Sequence, residues 1–184
     1  INNGVLDRAE YLPCVQKSWK AICSNINDEG RLGFVQPIGA GPASYTADSC
    51  EVYAVGAFLC AAVELKKLVV ADANPARKTV DVVNPAGVYR SAETVSLDWA
   101  KLGLKPEDLR VFDVRNGAVL PHQLYDANGD GTPDELLFKT YTLAKQSRSF
   151  WVFNSTAVPA APTATVCFSR YAPERMDDYL WEND

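Results

Sequence analysis

Histidine, methionine and blocks of basic charge are what this sequence has least of. His122 is the single histidine among 184 residues, so no nearby pair of imidazoles can hold zinc, and a local Ser-His-Asp or Cys-His catalytic unit has little to draw on. No Cys-x-x-Cys pair occurs either. No Lys/Arg cluster interrupts a net charge of −5, so the surface repels phosphate backbones and nucleic-acid binding is excluded as an expectation. The longest apolar run, Val52 to Val63, contains Gly56 and is too short to span a bilayer, which predicts no membrane span. The start at Ile1-Asn2-Asn3-Gly4 has neither a basic region nor a long apolar stretch of the signal-peptide type. It reads as the start of a processed or truncated chain.

What remains is an ordinary globular composition: 47% hydrophobic, 22% charged and 10% aromatic residues, enough for a packed core. Five cysteines, Cys14, Cys23, Cys50, Cys60 and Cys167, leave at least one unpaired. The expectation is free thiols buried on apolar helix faces.

The first seventy residues read as helical. Leu12, Val15, Trp19, Ile22 and Ile26 recur at three- and four-residue steps, one stripe of an amphipathic helix, with Lys17, Lys20 and Asn25 opposite. Asp7 with Glu10 has capping-box spacing, although Pro13 predicts a short turn before the main helix, and Asn27-Asp28-Glu29-Gly30 marks the end. From about Asp48 to Lys66 a second helix is apolar all round, with Asp48 as its N-cap. Such a helix needs burial on every side, and two helices cannot supply it. The missing companions would come from the remainder of the same polypeptide or from another chain.

Beyond Ala73-Asn74-Pro75 the period changes. Residues 79–83, 94–97, 110–114, 137–141 and 149–153 are predicted strands, with turns at Asn84-Pro85, at Asn116-Gly117 (a two-residue hairpin signal) and across 126–135. Residues 158–162 read as a linker or edge segment. The fold class expected is α+β: a helical domain over 1–73, then an antiparallel β-sandwich over 78–184.

Asp126, Asn128, Asp130 and Asp134 occupy the first, third, fifth and ninth places of an Asp/Gly-rich loop, with Gly131 sixth and the Thr132 carbonyl available at the seventh. Calcium takes six to eight hard oxygen ligands, and this spacing can wrap them around one ion, for a structural Ca2+ clamping two strands. Leu137 stands where an EF-hand would need its twelfth-position glutamate, and two β-runs, Val119 to Tyr125 and Glu135 to Tyr141, flank the loop in place of helices. A solvated Asn/Asp/Gly turn is the alternative. The Gly/Pro-rich stretch Gly33 to Pro42 before the second helix reads either as the lining of a barrel mouth, with Gln36 facing a ligand, or as a rigid connector. The acidic, aromatic run Pro173 to Asp184 suits either a sugar or a disordered terminus.

Asn3-Gly4-Val5-Leu6-Asp7-Arg8, the run Gly30 to Ala40 and Glu51 to Leu59 resemble the carboxy-terminal end of unsaturated glucuronyl and rhamnogalacturonyl hydrolases of glycoside hydrolase families 88 and 105. The resemblance covers residues 1 to about 70. It implies the two closing helices of an (α/α)6 barrel, an oligosaccharide substrate bearing an unsaturated uronide, and an Asp general acid/base in the earlier, absent part of the barrel. No catalytic residue carries over to this chain, and Gln36 and Tyr45 are what the resemblance offers as substrate-binding candidates for the rim of the sugar pocket. Residues from about 78, through Asn84-Pro85, Gly103 to Leu109, Asp134 to Phe138 and Pro173 to Asp178, look like the start of a domain of unknown function found beside such hydrolases. A fragment of a periplasmic or extracellular bacterial polysaccharide-degrading enzyme, inactive alone, is the expected whole. A non-catalytic carbohydrate-binding or structural β-sandwich module is the alternative.

Overall fold

Asp7 does begin the first helix: its carboxylate accepts from Glu10 N at 2.9 Å, satisfying one of the amides that a helix start leaves unpaired. In the computed structural model, which describes residues 1–39, 41–162, 167–172 and 178–183, α1 spans Arg8–Cys23. Pro13 lies inside it, against the expectation of a turn there. The helix stops at Ser24, earlier than expected, and Ile26 pairs instead with Leu32 across a turn in which Gly30 takes φ +80°. Leu12, Val15, Trp19 and Ile26 are partly buried, as the stripe requires, while Ile22 is exposed.

The second helix, α2, spans Val52–Ala73, starting and ending later than its periodicity predicted. Asp48 is not its cap. Thr46 and Ser49 tie residues 46–49 into a turn, the Asp48 carbonyl accepts from Arg31, and Glu51 holds the cap position without a side-chain bond. Trp19 of α1 stacks on Phe58 of α2 at 4.9 Å between ring centres, and Arg8 pairs with Asp72. These contacts do not enclose α2. Val52 is 88% exposed, Leu59 58% and Val69 66%, and within the helix only Leu68 and Val70 are buried. The cysteines follow suit: Cys14 and Cys60 are exposed free thiols, and Cys23 and Cys50 are only partly covered, correcting the expectation of burial.

Residues Ile1–Pro75 form one compact unit and Ala76–Asp184 another. In the second, β1 (Lys78–Val83), β7 (Ser147–Asn154), β3 (Leu109–Asp113) and β4 (Val119–Leu120) make one antiparallel sheet in the order β1-β7-β3-β4. A second sheet has the order β2-β6-β5, from β2 (Arg90–Asp98), β6 (Glu135–Thr142) and β5 (His122–Tyr125). One-turn helix α3 (Trp99–Leu102) follows β2, and β8 (Cys167–Ala172) pairs with β9 (Asp178–Asn183) as a separate hairpin. Val111, Phe150 and Val152 of the first sheet share one apolar cluster with Leu136 and Phe138 of the second, sealed by Trp99, Leu102 and Leu109. The sheets therefore pack face to face, driven by the alternating apolar rows of β6 and β7.

Pro121 explains a strand boundary that the sequence pattern missed. The run 119–125 was expected to be continuous, yet β4 pairs with β3 and β5 pairs with β6 in the other sheet. Proline has no N–H to give a ladder, so the chain changes sheets there. The Asn116-Gly117 turn is also wider than predicted: residues 114–117 form a four-residue loop, closed by Gly117 N on Asp113 O at 2.9 Å with Gly117 at φ +70°. Residues 178–183, read as part of an acidic terminus, form a paired strand instead. Positions 173–177 of the same run lie outside the described residues.

Candidate functional site

The nine-residue loop 126–134 joins β5 to β6 beyond the Tyr125–Glu135 pair. Its side-chain oxygens fold back onto its own backbone. Asp126 Oδ1 accepts from Gly129 N at 2.7 Å and Asp130 N at 3.3 Å, and Oδ2 accepts from Gly131 N at 2.7 Å. Asn128 Oδ1 accepts from Asp130 N, Asp130 Oδ1 from Thr132 N, and Asp134 Oδ2 from Ala127 N, each at 2.8 Å. Gly129 and Gly131 take φ +79° and +87°, conformations that would strain any side chain. The amide bonds, led by that from Gly131, hold the Asp126 carboxyl below the ordinary carboxylate range, because they favour its charged form. Among the described residues no three His, Cys, Asp or Glu side chains converge as a metal-holding group. The five proposed calcium residues thus share one loop, and the contacts their side chains make are with the loop's own amides.

In the helical unit, Gln36 and Tyr45 are both exposed, on the segment between the helices. The Gln36 carbonyl accepts from Tyr53 Oη at 2.7 Å, which ties this segment to the first turn of α2. Gly33 N bonds Asn25 O, Phe34 N bonds Thr46 O and Val35 N bonds Ser49 O, so the segment is a folded loop rather than a simple connector. Close approach requires glycine at position 33, where a Cβ would meet Ala47 O at 2.1 Å. No catalytic group was expected in this unit. Asp48 and Glu51, the nearest carboxylates to the loop in sequence, are held by their backbones: the Asp48 carbonyl accepts from Arg31, and the Glu51 carbonyl accepts from Ala54 N and Val55 N at 3.1 and 3.2 Å.

Two features of the β unit escaped the sequence reading. The first is a buried ion pair, in which Arg148 Nη2 donates to Asp113 Oδ2 with both side chains almost wholly enclosed. The Arg148 guanidinium also lies 3.9 Å from the Tyr141 ring centre. The second is a cleft of about 560 Å³, lined by Thr94, Pro121, His122, Gln123, Leu137 and Lys139 among others. The register that sets Thr94 opposite Lys139 and Gln123 opposite Leu137 was not available from one sequence.

Comparison with known proteins adds two matches. Residues 1–69 match the family model for Glycosyl Hydrolase Family 88, and residues 82–184 match that for a domain of unknown function, DUF4861. An unsaturated 3S-rhamnoglycuronyl hydrolase of Formosa agariphila is 48% identical over 68 residues, covering 37% of this chain and 18% of the relative. A second protein of that name, from an Alteromonas species, is 35% identical over 65 residues, 35% of this chain and 16% of its own length. Uncharacterized protein P7 of Formosa agariphila is 31% identical over 111 residues, 58% of this chain and 28% of that protein. The chain therefore spans between 16% and 28% of the length of these relatives. With more than half of its residues matched by one model, the chain belongs to the DUF4861 family, and the stretch ahead of that domain is similar to Glycosyl Hydrolase Family 88.

Proposed function

We propose that this chain is part of a glycoside hydrolase that acts on unsaturated uronides released from acidic polysaccharides, the rhamnoglycuronyl type named in its relatives being the first choice. The observation that carries the reading is the 48% identity of the helical segment to a hydrolase of that name, within a Glycosyl Hydrolase Family 88 match. The exposed apolar flank of α2 supports it, because a helix with Val52, Leu59 and Val69 in water is suited to the inner layer of an (α/α)6 barrel. In such a reaction an Asp protonates the enol-ether double bond and water adds. We assign that Asp to no residue of this chain. Gln36 and Tyr45 would sit at the rim of the sugar pocket, and the helical pair alone is expected to have no turnover.

Several parts of the reading rest on chemistry alone. A structural Ca2+ in the 126–134 loop is supported by the ligand spacing, with Asp126, Asn128, Asp130 and Asp134 supplying side-chain oxygens and Thr132 a carbonyl. A periplasmic or extracellular location follows from the polymeric origin of the substrate. No helix among the described residues is long and apolar enough to cross a membrane.

The test is the loss of double-bond ultraviolet absorbance when the full-length protein meets an unsaturated uronyl-rhamnose disaccharide. Loss of absorbance is the expected result. Persistent absorbance would favour the second reading, a non-catalytic carbohydrate-binding or structural module, for which the cleft of the β unit is the specific support.

A further inference from the structure

The outward face of the β2-β6-β5 sheet carries a small, ordered set of groups. Thr94 on β2 is opposite Lys139 on β6, and Gln123 on β5 is opposite Leu137 on β6. Side chains at i and i+2 of a strand share a face, so Leu137 and Lys139 are neighbours on β6. These four residues therefore form one patch across three strands. Pro121 and Pro162 stand beside them, and together with His122 and Phe138 they bound the cleft of about 560 Å³. That volume lies within the range of small-ligand sites.

Its chemistry is unlike that of the chain as a whole. The sequence has 23 Asp and Glu against 18 Lys and Arg, yet no carboxylate is among the described lining residues, and Lys139 is their only ammonium or guanidinium. Lys139 is exposed and makes no ion pair among the described residues. Gln123 adds an amide with two donors and an acceptor, and Thr94 adds a hydroxyl. Leu137 and the two prolines provide apolar surface. An unpaired cation, flanked by uncharged hydrogen-bonding groups over an apolar floor, matches a saccharide with one anionic group: the ammonium takes the acid, the amide and hydroxyl take ring hydroxyls, and the apolar floor takes a C–H face.

We propose that this cleft is a binding subsite for an acidic saccharide, a uronate-bearing disaccharide in particular. The proposal rests on the reading that the protein handles acidic glycans, and it gives the β unit a role of its own, holding an anionic sugar.

The experiment is calorimetric titration of the whole 184-residue chain with glucuronyl-rhamnose, and with the same disaccharide after its carboxyl is reduced to the alcohol. The acid form should bind and the reduced form should bind about tenfold more weakly, the worth of one charge-assisted hydrogen bond. Lys139→Ala and Gln123→Ala should each weaken the acid form, and Lys139→Arg should restore most of the loss because it keeps the cation. Both positions are exposed, so circular dichroism should be unchanged. Absence of binding, equal affinity for acid and reduced forms, or indifference to both alanine substitutions would overturn the subsite. Turnover by the full-length protein is measured separately by absorbance, so a working hydrolase with no binding at this cleft would sink this proposal and leave the hydrolase reading standing.

Discussion

Arg148 and Asp113 show how much one pair of residues can decide. Both are strand residues buried in the β unit, Asp113 at 1% exposure and Arg148 at 6%. Asp113 also accepts from Arg115 N at 2.9 Å, so its carboxylate anchors the turn after β3 as well as the guanidinium. Arg148 Nε is buried without a hydrogen-bond partner among the described residues, which makes the arginine still more dependent on Asp113 and on the Tyr141 ring. Removing the carboxylate would leave a cation stranded in the interior. Asp113→Ala should therefore lower unfolding stability by about 3–5 kcal/mol, and Arg148→Met in the same chain should recover part of that loss. Urea unfolding of the two variants, followed by circular dichroism, checks both statements. Neither residue was singled out from the sequence, because an Asp and an Arg 35 positions apart look like any two surface charges until β3 and β7 are paired.

At the scale of the element, loops carry the specific content. Asn84 illustrates how a legible turn gains its anchorage from afar. Its position before Pro85 marked a turn, and its Oδ1 does accept from Ala86 N at 3.0 Å. Its amide, however, also donates to the Thr142 and Leu143 carbonyls at 3.2 and 3.1 Å, partners set only by the β6–β7 connection. The 126–134 loop was legible as a turn, since its spacing is local. If it takes calcium, chelation should lower the melting temperature of the chain, and Asp130→Ala should abolish the difference between chelated and calcium-supplied samples. A melt indifferent to chelator would retire the ion and leave a self-bonded Asx turn. The loop before α2 was legible only as turn-forming composition. There Gly33→Ala should cost about 1–3 kcal/mol, because the added methyl meets backbone at Ala47 and not a side chain that can swing away. Faster proteolysis of the 33–49 segment in the variant would register it.

On the scale of the whole molecule, α2 is the informative element. Its outward row, including Val52 and Leu59, has no cover among the described residues. Leu59→Lys should change the stability of this chain by no more than about 0.5 kcal/mol, as for any exposed site. On the proposed reading, in which α2 packs inside a helical barrel, the same substitution in a protein of its relatives' length should abolish folding or activity, because a lysine would enter an apolar helix contact. Equal tolerance in both contexts, read by thermal melts of the two proteins, would remove α2 from the interior of a barrel.

The sequence by itself determined the change from a 3.6-residue to a two-residue apolar period near Asn74, the stripe of α1, the main strands of the β unit and the Asp/Gly loop. These are local patterns, and local patterns are set by backbone geometry and by which residues can leave water. Tertiary structure decided where β4 and β5 part company at Pro121, which face of α2 stays bare, that Asp113 meets Arg148, and that Thr94, Gln123 and Lys139 share a cleft. Each of those depends on register or packing between segments distant in the chain, and a single sequence carries no record of which distant residue will arrive opposite which.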